Sequence, residues 1–492
     1  MRTKRFAITK SWLLYILLYI GIFSLQTLYT LQTTHFITHE ELAESIRNVW
    51  WLQNHGIYDG ISSNVGWYTT VQLWYNLFGF SLFMGKAIRL ALFAIGLFCS
   101  FDLLLKYLGK KLAWLPLVLF GLSPTLLYFT TLQTSFGIDV PYFIIVIWLF
   151  LKSLVSQKPL FAIVLGFVLS LAALSYPSFL LYLPSLAVIS IVGIRKKKLP
   201  AKRLALIVLG AILPVVFILL YLNEPNKLLF DHNVNSGIFR GGGTFPNTMA
   251  ELLINIQGGL GVLFQDLFIA PGSYYFDAAR SEFSHFATRL SVYAIMLLVI
   301  QQVTFLVLRK KFQEIIIPGL ALFSLLLGGT LASISNWFPG LRRATIILVV
   351  FYILVAWLFK LLRDKKLGHI SSLTLFAATF LILAHHIRII PASFAKLSQA
   401  NTNTEVSCFA ISGGTPSESL IHLQSSFQAT SKLDLSFIEN SDKCRLAEVY
   451  AAIASDCFWN NRVCPPILWQ DEKSATTLQL ETKLWDEYYF SH

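Results

Sequence analysis

Charge is what this chain has least of: of its 492 residues only 13% are Asp, Glu, Lys or Arg, while 55% are hydrophobic. An ordinary soluble domain carries roughly twice that charged share, so the composition excludes one. Acids are scarcer still, 26 against 39 bases. Cysteine is used only five times and never in the Cys-x-x-Cys spacing of a structural zinc site. Three other absences matter. No small-residue cleavage site follows the first apolar run, which excludes a removed signal peptide. No Gly-Lys-Ser/Thr follows the run Gly241-Gly242-Gly243, which argues against a nucleotide loop. No clear internal repeat is present, which argues against a repeat-built transporter.

What is present is a succession of apolar runs, each long enough to cross a bilayer. Between them lie basic clusters: Lys106/Lys110/Lys111, Lys152/Lys158, residues 195–198 with Lys202/Arg203, residues 309–311, and Arg363/Lys365/Lys366. Every second connection carries one, the positive-inside pattern, which makes these turns and the N-terminus cytoplasmic. The net charge of +13 is thus cut into short turns and offers no continuous face to a nucleic acid. Threading by this rule gives an all-α polytopic membrane protein of about eleven transmembrane helices, at roughly 20 residues per span. The expected spans are 11–30, 84–105, 112–130, 140–157, 160–177, 178–194, 204–222, 288–308, 314–334, 343–362 and 369–386.

An odd count puts the C-terminus outside. Cys99 lies within a span, whereas Cys408, Cys444, Cys457 and Cys464 all follow the last one. Cysteines gathered in an extracytoplasmic tail suggest disulfides, with three pairings open. The division expected is a transmembrane domain over 1–386, with outer loops 31–83 and 223–287, and an extracytoplasmic domain over 387–492. The tail mixes apolar residues with turn signals such as Gly413-Gly414 and Pro465-Pro466, as a small α+β or irregular fold would.

The first outer loop opens with Thr38-His39-Glu40-Glu41 and has no basic residue before Arg47. Adjacent carboxylates at the mouth of a helix bundle invite a functional explanation. Segments 41–53 and 67–78 each suit a short amphipathic helix lying along the interface, with aromatic rings at headgroup depth. The second loop holds Asp231-His232 and Arg240 beside the three glycines, a setting more typical of a flexible loop than of a phosphate loop. His385-His386, lacking further ligands nearby, read as an interfacial cap at a helix end, and no metal is expected.

The order of these features resembles the GT-C type membrane glycosyltransferases, nearest the bacterial relatives of the protein O-mannosyltransferases and the lipid A aminoarabinose transferase. The likeness rests on Glu40-Glu41, the polar gap 56–66, the aromatic stretch 67–79 ending in Phe78-Gly79-Phe80-Ser81, Ser123-Pro124, Asp139-Val140-Pro141, and Pro339-Gly340-Leu341-Arg342-Arg343. It covers roughly residues 10–385, and the tail lies outside it. The sequence departs from the family at two places. The leading Asp of the family's Asp-Glu is His39 or Glu40 depending on register, and neutral Thr130-Thr131-Leu132-Gln133 stands where a basic residue is common.

The resemblance implies an inverting transfer from a polyprenyl-phosphate sugar to a glycan, lipid or protein acceptor on the outer face, with no cofactor beyond that lipid-linked donor. A carboxylate would act as general base, with Glu40 the first candidate and Glu41 the second; on a helix such neighbours point about 100° apart. Asp139 is either an orienting acid or a helix N-cap before Pro141. Arg342 and Arg343 are candidate ligands of the donor phosphate, since a guanidinium holds phosphate with two parallel hydrogen bonds. Arg89 and Lys86 are further candidates, and for all four the alternative is snorkelling to lipid headgroups. The other function class is a non-catalytic membrane protein or a transporter of lipid-linked or cell-envelope substrates. Against it stand spans nearly free of acids, with ionisable groups at the outer ends.

The topology has a direct test. A membrane-impermeant thiol reagent applied to intact cells after reduction is expected to label Cys408, Cys444, Cys457 and Cys464; labelling only after lysis contradicts the odd span count.

Overall fold

The computed structural model describes residues 10–32, 64–79, 82–131, 133–135, 137–156, 158–176, 179, 183–185, 187–188, 191, 200–222, 248–254, 257, 282–334, 346–402, 468–470 and 477–479. Within them the chain is almost wholly helical. Six helices are long and apolar enough to cross a membrane: Leu13–Gln32, Met84–Leu108, Ala201–Leu220, Phe286–Leu308, Ile346–Arg363 and His369–Ala392. Two more, Pro159–Ser175 and Glu314–Leu327, are apolar but shorter. The chain is an integral membrane protein. The expected span 178–194 falls mostly outside the described residues.

In chain order the elements are α1 (Lys10–Gln32), α2 (Val65–Phe78), α3 (Leu82–Leu108), α4 (Trp114–Gly121), α5 (Pro124–Thr131), α6 (Asp139–Val155), α7 (Pro159–Ser175), α8 (Ala201–Leu222), α9 (Glu282–Leu308), α10 (Phe312–Ile334), α11 (Ile346–Arg363) and α12 (His369–Thr402). A small antiparallel pair, β1 (Leu468–Gln470) and β2 (Thr477–Gln479), pairs Leu468 with Gln479 and Gln470 with Thr477. α11 is apolar on every side and buried along most of its length, as the central helix of a bundle must be. Its Tyr352 hydroxyl donates to the Leu119 carbonyl at 3.2 Å, and Phe120 meets the Tyr352 ring edge-on at 5.3 Å.

Expectation and structure part company at three elements. The span expected at 112–130 is two short helices, because Pro124 brings no N–H to continue α4 and suits only the first position of a new helix. α2, expected to lie along the interface, is buried over Val65–Thr69, Val71, Gln72 and Tyr75; only its last three residues, Asn76, Leu77 and Phe78, are exposed. Gly66 explains the seating, since a Cβ there would stand 2.9 Å from the Leu174 backbone at the end of α7. α12 does not stop at residue 386 but runs on to Thr402 through Pro391.

The basic turns gather at one end of the bundle. The Asp102 carboxylate (α3) accepts from Lys106 at 2.6 Å and from the Trp148 indole (α6) at 2.7 Å, with Lys152 at 3.5 Å. Arg203 (α8) donates to the Ser153 carbonyl, Arg363 (α11) donates to the Tyr107 carbonyl at 2.7 Å, and Lys366 pairs with Glu314 (α10) at 2.7 Å. Tyr15 joins α1 to this end by donating to the Lys110 carbonyl at 2.7 Å. α2 and the start of α3 therefore lie at the opposite end.

α7 and α8 cross backbone to backbone. A Cβ on Gly166 would strike the Ile207 carbonyl oxygen, and one on Gly210 would strike that of Ile163. Neither obstacle is a side chain that can turn aside, so Gly166→Val or Gly210→Val is expected to cost about 1–3 kcal/mol or more and lower the thermal midpoint in detergent. Gly21→Ala on α1, with nothing within 4 Å, should leave the midpoint unchanged or raise it. Equal midpoints for all three variants would refute the close crossing.

Candidate active site

At the α2 end the bundle breaks its own compositional rule. Lys86 is 2% exposed, Arg89 4% and Asp139 1%, and among the described residues no other Lys, Arg, Asp or Glu is buried. Around them Asn64, Thr69, Gln72, Thr130, Gln133, Thr134 and Ser135 are also buried. Removing ionised groups from water is expensive, so their burial makes this end of the bundle the candidate functional site.

Local sequence explains how each group gets there. Lys86 and Arg89 lie three residues apart in the first turns of α3, so both fall on one face of the helix. The described residues between α5 and α6 (133–135, 137 and 138) are not helical, and 133–135 are each held by a different partner. Gln133 donates its amide N–H to the Tyr75 hydroxyl of α2. The Thr134 carbonyl accepts from the Arg89 guanidinium, which also stands 5.9 Å from the centre of the Trp67 ring. The Ser135 hydroxyl accepts from the Asn64 amide at 3.0 Å. Gly85 makes room for this arrangement, because any Cβ there would collide with the Gln133 amide. The segment then turns into α6 through Gly137, at φ +74°, with Ile138 N–H donating to the Ser135 carbonyl at 3.3 Å.

Asp139 is the first residue of α6, and the capping position falls on Ile138. The N-cap reading of Asp139 therefore gives way to a buried first-turn carboxylate, a place the helix dipole favours for negative charge. Arg89 is also corrected in part. Its guanidinium is turned inward onto a backbone carbonyl and an indole, which is not the posture of a side chain snorkelling to headgroups. Lys86 is likewise buried rather than snorkelling.

Of the residues expected from sequence, the structure brings Lys86, Arg89 and Asp139 to the same end of the bundle. Glu40, Glu41, His39, Asp231, Arg240, Arg342, Arg343 and the cysteines 408, 444, 457 and 464 lie outside the described residues. Cys99 is buried and free. Among the described residues no group of three or more His, Cys, Asp or Glu side chains is placed to hold a metal ion. Sequence reasoning missed Asn64, Tyr75 and Ser135. It read Gln133 only as a missing base, although a polar Gln-Thr-Ser run between two apolar helices was itself a signal.

The histidine pair is a further correction. His385 and His386 stand inside α12, both buried, and cap no helix end. The Tyr29 hydroxyl of α1 donates to the Ile390 carbonyl at 2.5 Å, and its ring meets that of Phe394 at 5.4 Å.

No family model matches the chain, and no curated protein matches it. Among solved structures the chain is similar to ArnT from Cupriavidus metallidurans bound to undecaprenyl phosphate, at 12% identity over 97% of this chain and 85% of that one, with a TM-score of 0.45. It is also similar to the same protein in the apo state, at 10% identity over 90% of this chain and 75% of that one, with a TM-score of 0.43.

Proposed function

We propose that the chain is a membrane glycosyltransferase that moves a sugar from a polyprenyl-phosphate carrier to a hydroxyl or amine acceptor, working at the α2 end of the bundle. The observation that carries this reading is the burial of Lys86 and Asp139 together at that end. A cation and a carboxylate sunk there suit a reaction whose leaving group is an anionic lipid phosphate and whose nucleophile must lose a proton. The order of sequence features, from Glu40-Glu41 through Asp139-Val140-Pro141 to Arg342-Arg343, supports the same reading. Charge placement also favours it over transport, since a transporter's ionisable groups belong at mid-membrane, in broken helices.

In this mechanism a carboxylate takes the proton of the acceptor O–H or N–H as the new bond to the anomeric carbon forms. Glu40 is the first choice for that base and Glu41 the second. The bond from the anomeric carbon to the phosphate oxygen breaks on the opposite side, which inverts the configuration. The departing phosphate gains charge, and Lys86 is the ammonium that stabilises it, with Arg342 and Arg343 as further cations. Asp139 orients the acceptor or the base. The α2 end then faces the outside, the basic turns face the cytoplasm, and eleven spans place the tail outside as a disulfide-bearing domain.

The test is turnover of undecaprenyl-phosphate-linked sugars by membranes enriched in the chain. Glu40→Gln or Glu41→Gln is expected to lower release of undecaprenyl phosphate by about 10²–10⁴-fold, the range of a general base. Normal insertion should accompany the loss. Full turnover in both Gln variants and in Asp139→Asn would remove the carboxylate mechanism, and no turnover of any lipid-linked sugar would remove the enzyme reading.

A further inference from the structure

Sequence alone gave Arg89 and Lys86 one shared role, as cations for the donor phosphate. The structure commits Arg89 elsewhere. Arg89 donates to the Thr134 carbonyl and faces the Trp67 indole, so its planar fork is committed to the protein. We propose that Arg89 is a positioning residue: with Tyr75 and Asn64 it clamps residues 133–135 and thereby sets the first turn of α6, which carries Asp139. The proposal rests on the reading of Asp139 as the acid that orients the reacting groups.

The geometry supports a single unit rather than three separate bonds. Consecutive residues of one non-helical strand are gripped from three places: Gln133 by Tyr75 near the end of α2, Thr134 by Arg89 on α3, and Ser135 by Asn64 just ahead of α2. The grip continues toward Asp139 through the Ile138-to-Ser135 turn bond at 3.3 Å and the Val140-to-Gly137 bond at 3.2 Å. From there α6 is fixed against α3, where a Cβ on Gly96 would stand 3.1 Å from Pro141. Gly85 belongs to the same unit although it has no side chain, since the Gln133 amide occupies the space its Cβ would take. A shift in any of these contacts is passed to the acid through residues 133–135, 137 and 138, none of which lies in a helix.

The two roles differ in what they do to kinetics. A phosphate ligand acts on donor affinity, whereas a positioning residue acts on the chemical step. The full chain in lipid nanodiscs is assayed for binding of undecaprenyl phosphate, and for kcat and KM in releasing it from its sugar-linked form. Arg89→Lys keeps the charge and loses the fork; Gly85→Ala adds a strong helix former and displaces Gln133 without removing any polar group. Both are expected to leave binding and KM within about threefold while kcat falls by about 10²-fold, the scale of a reacting group misplaced by about 1 Å. Lys86→Ala should instead weaken binding by about tenfold or more. Binding lost equally in Arg89→Lys and Lys86→Ala overturns the proposal, as does an unchanged kcat in Arg89→Lys and Gly85→Ala while Asp139→Asn is inactive. Full turnover in Asp139→Asn is a different failure, because it removes the role of the acid itself.

Discussion

The bond from the Arg89 guanidinium to the Thr134 carbonyl meets the constraint that governs the whole α2 end. Inside a membrane, backbone that is not helical must find partners within the protein. The described residues 133–135 between α5 and α6 leave the helical ladder, so their carbonyls and side chains need buried donors and acceptors. Arg89, Tyr75 and Asn64 provide them. Seating α2 deep against α7 brings Asn64 and Tyr75 within reach, and Gly66 is what permits the seating. The same requirement explains why Asn64, Arg89, Gln133 and Ser135 are buried together at that end.

Charge is divided between the two ends by different rules. At the basic end Lys and Arg are mostly partly exposed, and they pair with carboxylates or with the carbonyls that end helices, as Arg363 does at Tyr107 and Arg203 at Ser153. Such groups fix orientation and staple neighbouring helices. At the α2 end Lys86, Arg89 and Asp139 are nearly closed to solvent. A cell that needed only an anchor would gain nothing from that desolvation. The contrast between a wet, stapled end and a dry, charged end is what points to chemistry at the second.

Much of the helical plan was legible in the sequence, because a bilayer imposes one length and one polarity on every span. The start of α3, all but the first three residues of α8 and the run of α11 are read off apolar stretches bounded by charge. What escaped was decided by packing. The break between α4 and α5 turns on Pro124, which an apolar count does not register. The burial of α2 turns on Gly66, and a sequence rich in Trp and Tyr reads equally well as an interfacial helix. At the site, Asp139 and Lys86 stood out as charges beside apolar runs, whereas Asn64, Tyr75 and Ser135 are ordinary residues until the fold brings them to one strand of backbone. The long α12 was cut short at His385-His386, because a histidine pair looks like an end when its buried surroundings are unknown.

The claim that the dry, charged end receives a lipid phosphate is tested most directly by a cryo-EM structure of the full chain in a nanodisc containing undecaprenyl phosphate. The expected result is phosphate density against the Lys86 ammonium, in a cavity that Asp139 also lines. Density seated instead among Lys106, Lys152 and Arg363 at the opposite end, or a Lys86 site closed by protein while the lipid binds elsewhere, would contradict it.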